Sequence, residues 1–430
     1  MRMNSACMDT ELMPFDLARS ILVDAVETLS PEAIRLSDAL GRVAAETIVA
    51  KEDLVPYPRS AMDGYALRSI DTQSASPFAP VELPLAGKVF TGDGQATLVP
   101  GTALGITTGA PVPIGADAVV PWEQVSARDD KILVKHHVRL GDCVFPPAED
   151  VLCGESLLKR GTVMRPANMA LLAFAGHSAL SVYRRPNVSL LCTGSELVDV
   201  SEAPACGQVR NSNAYSLRAL LSECGATARY CGAVTDNLNE LRAALEEGRR
   251  GADLLITTGG ASVGERDLIK SALAEMGAEF EFRMVAIRPG KPFAFGRWRD
   301  LPVCVLPGNP AAAFVCYHEF VRPLVLRMAG REAFELPVLT ATLAGHAKSK
   351  PGSRYVLFGN LSITRLGFVV EPLANQCSAL VRNPATANAL ILLPDGPAQF
   401  KSGDQVSVQV LDWDDVAHGS HKKPTLDRSE

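Results

Sequence analysis

No C-x-x-C pair occurs among the ten cysteines, and the seven histidines supply no set of matching ligands beside them. Zinc sites and a disulfide framework are therefore not expected, and each cysteine reads as a small buried hydrophobe or a surface thiol. No apolar run reaches the roughly 18 residues that span a bilayer. The first thirty residues carry acidic groups where a signal peptide would be apolar, so a cytoplasmic protein without membrane contact is expected. Nor is there a run of Lys or Arg: 42 basic residues stand against 48 acidic ones, a net charge of −6, which argues against a nucleic-acid partner. A local basic pocket for anions stays open.

What is present is ordinary globular composition, 47% hydrophobic and 21% charged, in a chain of 430 residues. That length exceeds what one core fills, so several domains are expected. Apolar residues at helical spacing predict an amphipathic helix over 15–29. Short strands broken by Pro and Gly follow from Ala50 to Pro147 and read as an inserted β-rich module at 51–144. A short helix near Asn168 to Phe174 returns the chain to the first layer, so 1–50 and 145–183 read as one elongated domain. From Pro186 strand and helix alternate, which means βαβ units and a parallel sheet with helices on both faces over 184–330. Asn309 and Pro310 suit the cap and first turn of a last helix, Ala311 to Met328. The pattern at 331–413 is β again and reads as a small barrel or sandwich. The polar end, 414–430, reads as a disordered tail.

The stretch Pro58-Arg59-Ser60-Ala61-Met62-Asp63-Gly64-Tyr65-Ala66 joins a cation, a hydroxyl and a carboxylate beside a glycine. Two prolines keep its lead-in extended, and Gly64 permits a turn that presents Asp63 outward. A plain surface turn fits the same residues. Other candidate loops lie where strands of the α/β sheet end, the place at which such sheets bind ligands. Thr258-Gly259-Gly260 can aim main-chain N–H groups at an anion, as phosphate loops do. Glu196, Asp236 and Asp267 are three carboxylates near that point and imply Mg²⁺, which prefers carboxylates plus substrate phosphates; Asp236 also suits a helix N-cap. Arg288 and Lys291 flank a Pro-Gly turn and would neutralise a small oxyanion.

Six motifs in one order, Ser60 to Ala66, Thr107 to Pro113, Thr193 to Leu197, Thr258 to Asp267, Arg288 to Pro292 and Leu306 to Pro310, cover nearly the whole chain. The set resembles the MoeA family, the molybdopterin molybdenumtransferases that include the gephyrin E-domain. The resemblance implies a multidomain α/β protein whose central domain binds a molybdopterin nucleotide, and an enzyme that inserts molybdate into adenylylated molybdopterin with Mg²⁺ and releases AMP. It implies catalytic roles for Asp63, Glu196, Asp267 and Lys291, and metal ligation by Glu196, Asp236 and Asp267. Substrate binding falls to Thr108, Thr193, Gly194, Ser195, Gly259, Gly260, Ser262, Gly264, Arg288, Pro307, Gly308 and Asn309. It further implies an elongated homodimer with the site between chains. Molybdopterin adenylyltransferase and downstream cofactor-processing proteins are the expected partners.

Three positions depart from the family pattern. Ala312 stands where relatives commonly have Ser, Phe358 where they have Arg, and Arg382-Asn383 where they have a serine pair. Arg382 or Arg354 could restore the lost charge. The departures leave a second reading, a non-catalytic or tungstate-handling relative that binds molybdopterin. A third, the adenylyltransferase itself, needs neither the Ser60 to Ala66 motif nor the C-terminal β domain.

Overall fold

The computed structural model describes residues 12–259, 268–365 and 367–418. Gly260, Ser262, Gly264 and Asp267 therefore lie outside the described residues. No helix among those described is long and apolar enough to cross a membrane.

The N-terminal region is a ladder of short antiparallel pairs between distant parts of the chain. Pro31–Arg35 pairs with Ala179–Tyr183, Ile48–Val49 with Ser156–Leu158, and Arg59–Ser60 with Val144–Phe145. The chain runs out along one rail and back along the other, and the inserted module hangs from the far end. That module is a six-stranded sheet, with Gly64–Leu67 between Ala103–Ile106 and Ala118–Pro121. The first helix is shorter than its periodicity predicts, Phe15–Asp24. After it the chain turns away, and Leu29 N donates to Met328 O at 2.9 Å. Phe15, Ala18 and Leu22 pack in the core of the α/β domain, with the Phe15 and Phe320 rings 5.5 Å apart. This helix thus sits apart from the ladder that follows it in sequence.

The central sheet has the order Thr227–Val234, Asn187–Thr193, Leu254–Thr258, Leu301–Leu306, Ala294–Trp298, Ala278–Phe282. The first four strands are parallel, as the βαβ alternation predicts. The last two are antiparallel additions, so the sheet is mixed at one edge. Helix Pro310–Cys316 continues through a wider π turn, Tyr317–Val321, into Arg322–Met328. Pro323 has no N–H to offer the carbonyl one turn back, which accounts for the loosened winding.

Of the two architectures open for the last domain, it is a barrel. Arg354–Thr364, Gly367–Pro372, Val338–Leu343, Gln405–Val410 and Ala389–Leu393 pair in turn, and the last pairs back with the first. The first residues of the expected tail are ordered, and 419–430 lie outside the described residues. Trp413–His418 is helical, Val416 is buried in the barrel core, and Trp413 meets the Phe368 ring edge-on at 6.3 Å.

Candidate functional site

At the carboxyl ends of the parallel strands lies a cavity of about 550 Å³. Thr193, Thr258 and Pro307, each at or just past a strand end, form its floor. Asn213, one residue inside the helix Ser212–Glu223, ties that floor together. Its Nδ2 donates to Thr258 Oγ1 at 2.9 Å and to Gly308 O at 2.8 Å, while Thr258 Oγ1 donates to Pro307 O at 3.0 Å. Sequence reasoning missed Asn213, because an Asn in a first helical turn signals only a cap. Gly259 has φ +95, and a Cβ there would run into Thr193 O, so only glycine lets these strand ends meet.

Thr193 Oγ1 and Asn213 Oδ1 are buried without a hydrogen-bond partner among the described residues. Buried polar atoms are rarely left so, which marks these two as positions where a polar ligand or water can bind. Cys192 also lines the cavity, but burial pushes its thiol up to about 11, which removes it as a thiolate nucleophile.

Glu196 is exposed in the cavity lining. Asp236 is exposed beyond the neighbouring strand; its Oδ2 accepts from Ser195 Oγ at 3.1 Å, and Ser195 Oγ accepts from Asp236 N at 3.1 Å. Asp236 is not the helix cap; that role falls to Asn237, whose side chain accepts from Asn239 N and Glu240 N. Among the described residues no three His, Cys, Asp or Glu side chains gather into a metal cage. Mg²⁺ keeps waters and borrows substrate phosphates, so it asks for only one or two carboxylates. Of the two described carboxylates only Glu196 lines the cavity, while Asp236 is held through Ser195 outside it.

A second cleft of about 1080 Å³ runs between the α/β domain and the barrel. It shares Pro292, Pro307 and Asn309 with the first, so the two adjoin as a two-part trough. Arg288 and Lys291 both line it, and the Arg288 guanidinium lies 5.9 Å from the Tyr355 ring centre. Asn309 precedes the helix as expected but makes no side-chain cap; its Nδ2 donates to Ser378 Oγ at 3.2 Å instead. Ser378 thereby supplies the cleft with a hydroxyl that Ala312, also in the lining, cannot.

Phe358 is 1% exposed and does not face the cleft. Its ring packs 6.1 Å from Phe314, and Gln376 holds its main chain by bonds of 2.9 Å at both N and O. Neither proposed substitute cation reaches the trough. Arg354 pairs with Asp16 at 3.2 Å and stacks on Phe15, and Arg382 lines neither cavity.

Asp63 and Thr108 meet in the inserted module. Thr108 N and Oγ1 donate to Asp63 Oδ1 at 2.7 and 3.0 Å. Trp122 Nε1 braces the same loop by donating to Gly64 O at 2.9 Å. Described residues of the module line neither cavity of the trough.

Three family models match in chain order. "MoeA N-terminal region (domain I and II)" covers 13–176, "Probable molybdopterin binding domain" 189–327, and "MoeA C-terminal region (domain IV)" 340–411. A protein of Bacillus subtilis (strain 168) named molybdopterin molybdenumtransferase is 35% identical over 88% of this chain and 90% of its own length. A protein of the same name from Haemophilus influenzae is 32% identical over 93% and 98%. A solved structure described as the molybdopterin biosynthesis moeA protein from Pyrococcus horikosii superposes with a TM-score of 0.81 at 30% identity, over 94% of this chain and all of that one. Sequence, domain order and fold thus agree from the first helix to the barrel, and the chain belongs to the MoeA family.

Proposed function

We propose that the chain inserts molybdate into adenylylated molybdopterin with the aid of Mg²⁺ and releases AMP. At the coarser level it is a transferase of molybdenum cofactor biosynthesis. The observation that carries the finer reading is the pair of adjoining cavities. One sits at strand termini and holds two unpartnered buried oxygens; the other is basic. A substrate with a neutral heterocycle and charged phosphates matches that polarity.

In this reading the glycine-lined strand ends take the nucleotide, and Arg288 and Lys291 draw the anionic centre towards the barrel side. Mg²⁺, when bound, would be held by Glu196, Asp236 and Asp267 and would neutralise charge on the phosphate oxygens. Thr193 and Asn213 orient the substrate through the hydrogen bonds that they lack without it. Asp63 is held outside the trough of its own chain, which supports a homodimer whose site draws on both subunits. Exchange with an adenylyltransferase upstream and with cofactor-processing proteins downstream, in the cytoplasm, completes the proposal.

The test is turnover by purified protein given adenylylated molybdopterin, molybdate and Mg²⁺. AMP release that depends on all three, with molybdenum retained on the pterin, is the expected result. Tight binding of the adenylylated pterin without AMP release would favour binding without turnover, the reading that Ala312 and Phe358 leave open.

A further inference from the structure

The larger cleft is lined by five Lys and Arg side chains, Arg288, Lys291, Lys348, Lys350 and Lys401, together with His346, and by no Asp or Glu. Among the described residues none of the five makes an ion pair. In a protein of net charge −6 this is a sharp local reversal of sign. Like charges held together without counter-carboxylates repel one another and raise the local potential, which is stabilised when an anion enters.

Three of the five come from one small element of the barrel domain. Ala347–Ser349 pairs antiparallel with Ala398–Phe400, with Lys348 opposite Gln399. Ala347 and Ser349 are buried while Lys348 and Lys350 are exposed, the alternation that puts both lysines on one face. Ser349 Oγ donates to Gly396 O at 2.7 Å and anchors the buried face. Lys401 follows the partner strand directly, and its main-chain N donates to Asp404 Oδ2 at 2.7 Å, which fixes the turn that presents it.

We propose that Lys348, Lys350 and Lys401 form an oxyanion clamp that takes a tetrahedral dianion, either free molybdate or the phosphoryl group of the pterin substrate. The assignment rests on the reading of this cleft as part of the substrate trough. Ammonium groups are rotatable point charges, so three of them can surround a tetrahedral anion without the fixed plane that a guanidinium imposes. Arg288 and Lys291 line the same cleft, and Arg288 lies on a short strand paired with barrel strand Arg354–Thr364, so five cations border the space that a dianion would enter.

Equilibrium binding to the full chain tests this, with inorganic molybdate in one arm and adenylylated molybdopterin in the other. Each of Lys348→Gln, Lys350→Gln and Lys401→Gln should weaken binding roughly fivefold, and the triple variant roughly a hundredfold, as expected for partly solvated charges acting together. Raising salt from about 50 to about 500 mM should weaken the wild type more steeply than the triple variant, which keeps Arg288 and Lys291. Loss in the molybdate arm alone assigns the clamp to the free oxyanion. Loss in the pterin arm alone assigns it to the phosphoryl group. A triple variant that is folded by circular dichroism and binds both ligands like the wild type overturns the clamp, as does a wild type that binds neither. A wild type that binds through these lysines yet never releases AMP keeps the clamp and removes the proposed reaction.

Discussion

Both hydrogen bonds that Thr108 gives to Asp63 land on the same oxygen, Oδ1. Oδ2 takes none among the described residues, so the carboxylate is anchored at one end and available at the other. Thr108→Val keeps the main-chain donor and removes the hydroxyl, worth about 1 kcal/mol of positioning. Turnover should fall about fivefold while the melting temperature stays put, and Thr108→Ser should restore it. Equal activity in Thr108→Val would show that the hydroxyl does not hold Asp63 for catalysis.

Gly259 is a sharper case. With φ +95 and Thr193 O in the path of any Cβ, Gly259→Ala should cost about 2–4 kcal/mol and abolish binding of the adenylylated pterin. Gly41 is the control: φ is +74, but nothing lies within 4 Å, so Gly41→Ala should cost about 1 kcal/mol. Chemical denaturation of the two variants compares them, and similar losses would mean that the strand ends can part without harm.

His318 sits in the π turn with both ring nitrogens buried and unpartnered, its ring 4.5 Å from Phe314 and 5.5 Å from Tyr317. Burial, helped by the Arg322 charge, pushes its pKa down to about 3. The folded state therefore keeps the ring neutral where the unfolded chain, with a pKa of about 6.5, takes up a proton. The stability at stake is fully present above about pH 6.5 and is lost progressively as pH falls towards 3, amounting to about 2 kcal/mol at pH 5. Denaturation of wild type and His318→Leu at pH 8 and pH 5 reads the difference. A gap between the two proteins that does not change with pH would show that His318 titrates normally.

If the site is shared between subunits, inactive Asp63→Ala and inactive Asp267→Asn chains should rescue one another. Random re-pairing in a two-fold dimer restores up to about a quarter of wild-type turnover. Exchanged mixtures that stay inactive, with both variants folded, would mean that each chain builds its own site.

Much of this architecture was legible because period and punctuation agreed. The helix expected near Asn168 to Phe174 runs Pro166–Phe174, and the strand and helix alternation from Pro186 yields four parallel strands. The antiparallel edge of the central sheet was not. Its hairpin turns at Arg299-Asp300, with Arg299 at φ +57, and neither residue carries the glycine signal of a tight turn. The loops bearing Asp63, Gly259 and Arg288 could be found by their unusual residue mix. Lys348, Lys350 and Lys401 could not, since exposed lysines beside a short strand look like ordinary solvated surface until the barrel is closed against the α/β domain. Phe358 was misjudged for a related reason: a missing arginine says nothing about which way its replacement points.

The ladder of short strand pairs also constrains how the chain folds. Its rungs join residues 59–60 to 144–145, then 48–49 to 156–158, and last 31–35 to 179–183. Each rung must wait for everything it encloses, because closing a longer disordered loop costs more entropy. Once the inserted module has condensed, its two ends emerge side by side and the nearest rung closes almost locally. The remaining rungs then follow inward like a zip drawn from the tip. A lesion in the module, far from the trough, would thus be felt as slow maturation of the whole N-terminal half rather than as a weakened finished protein.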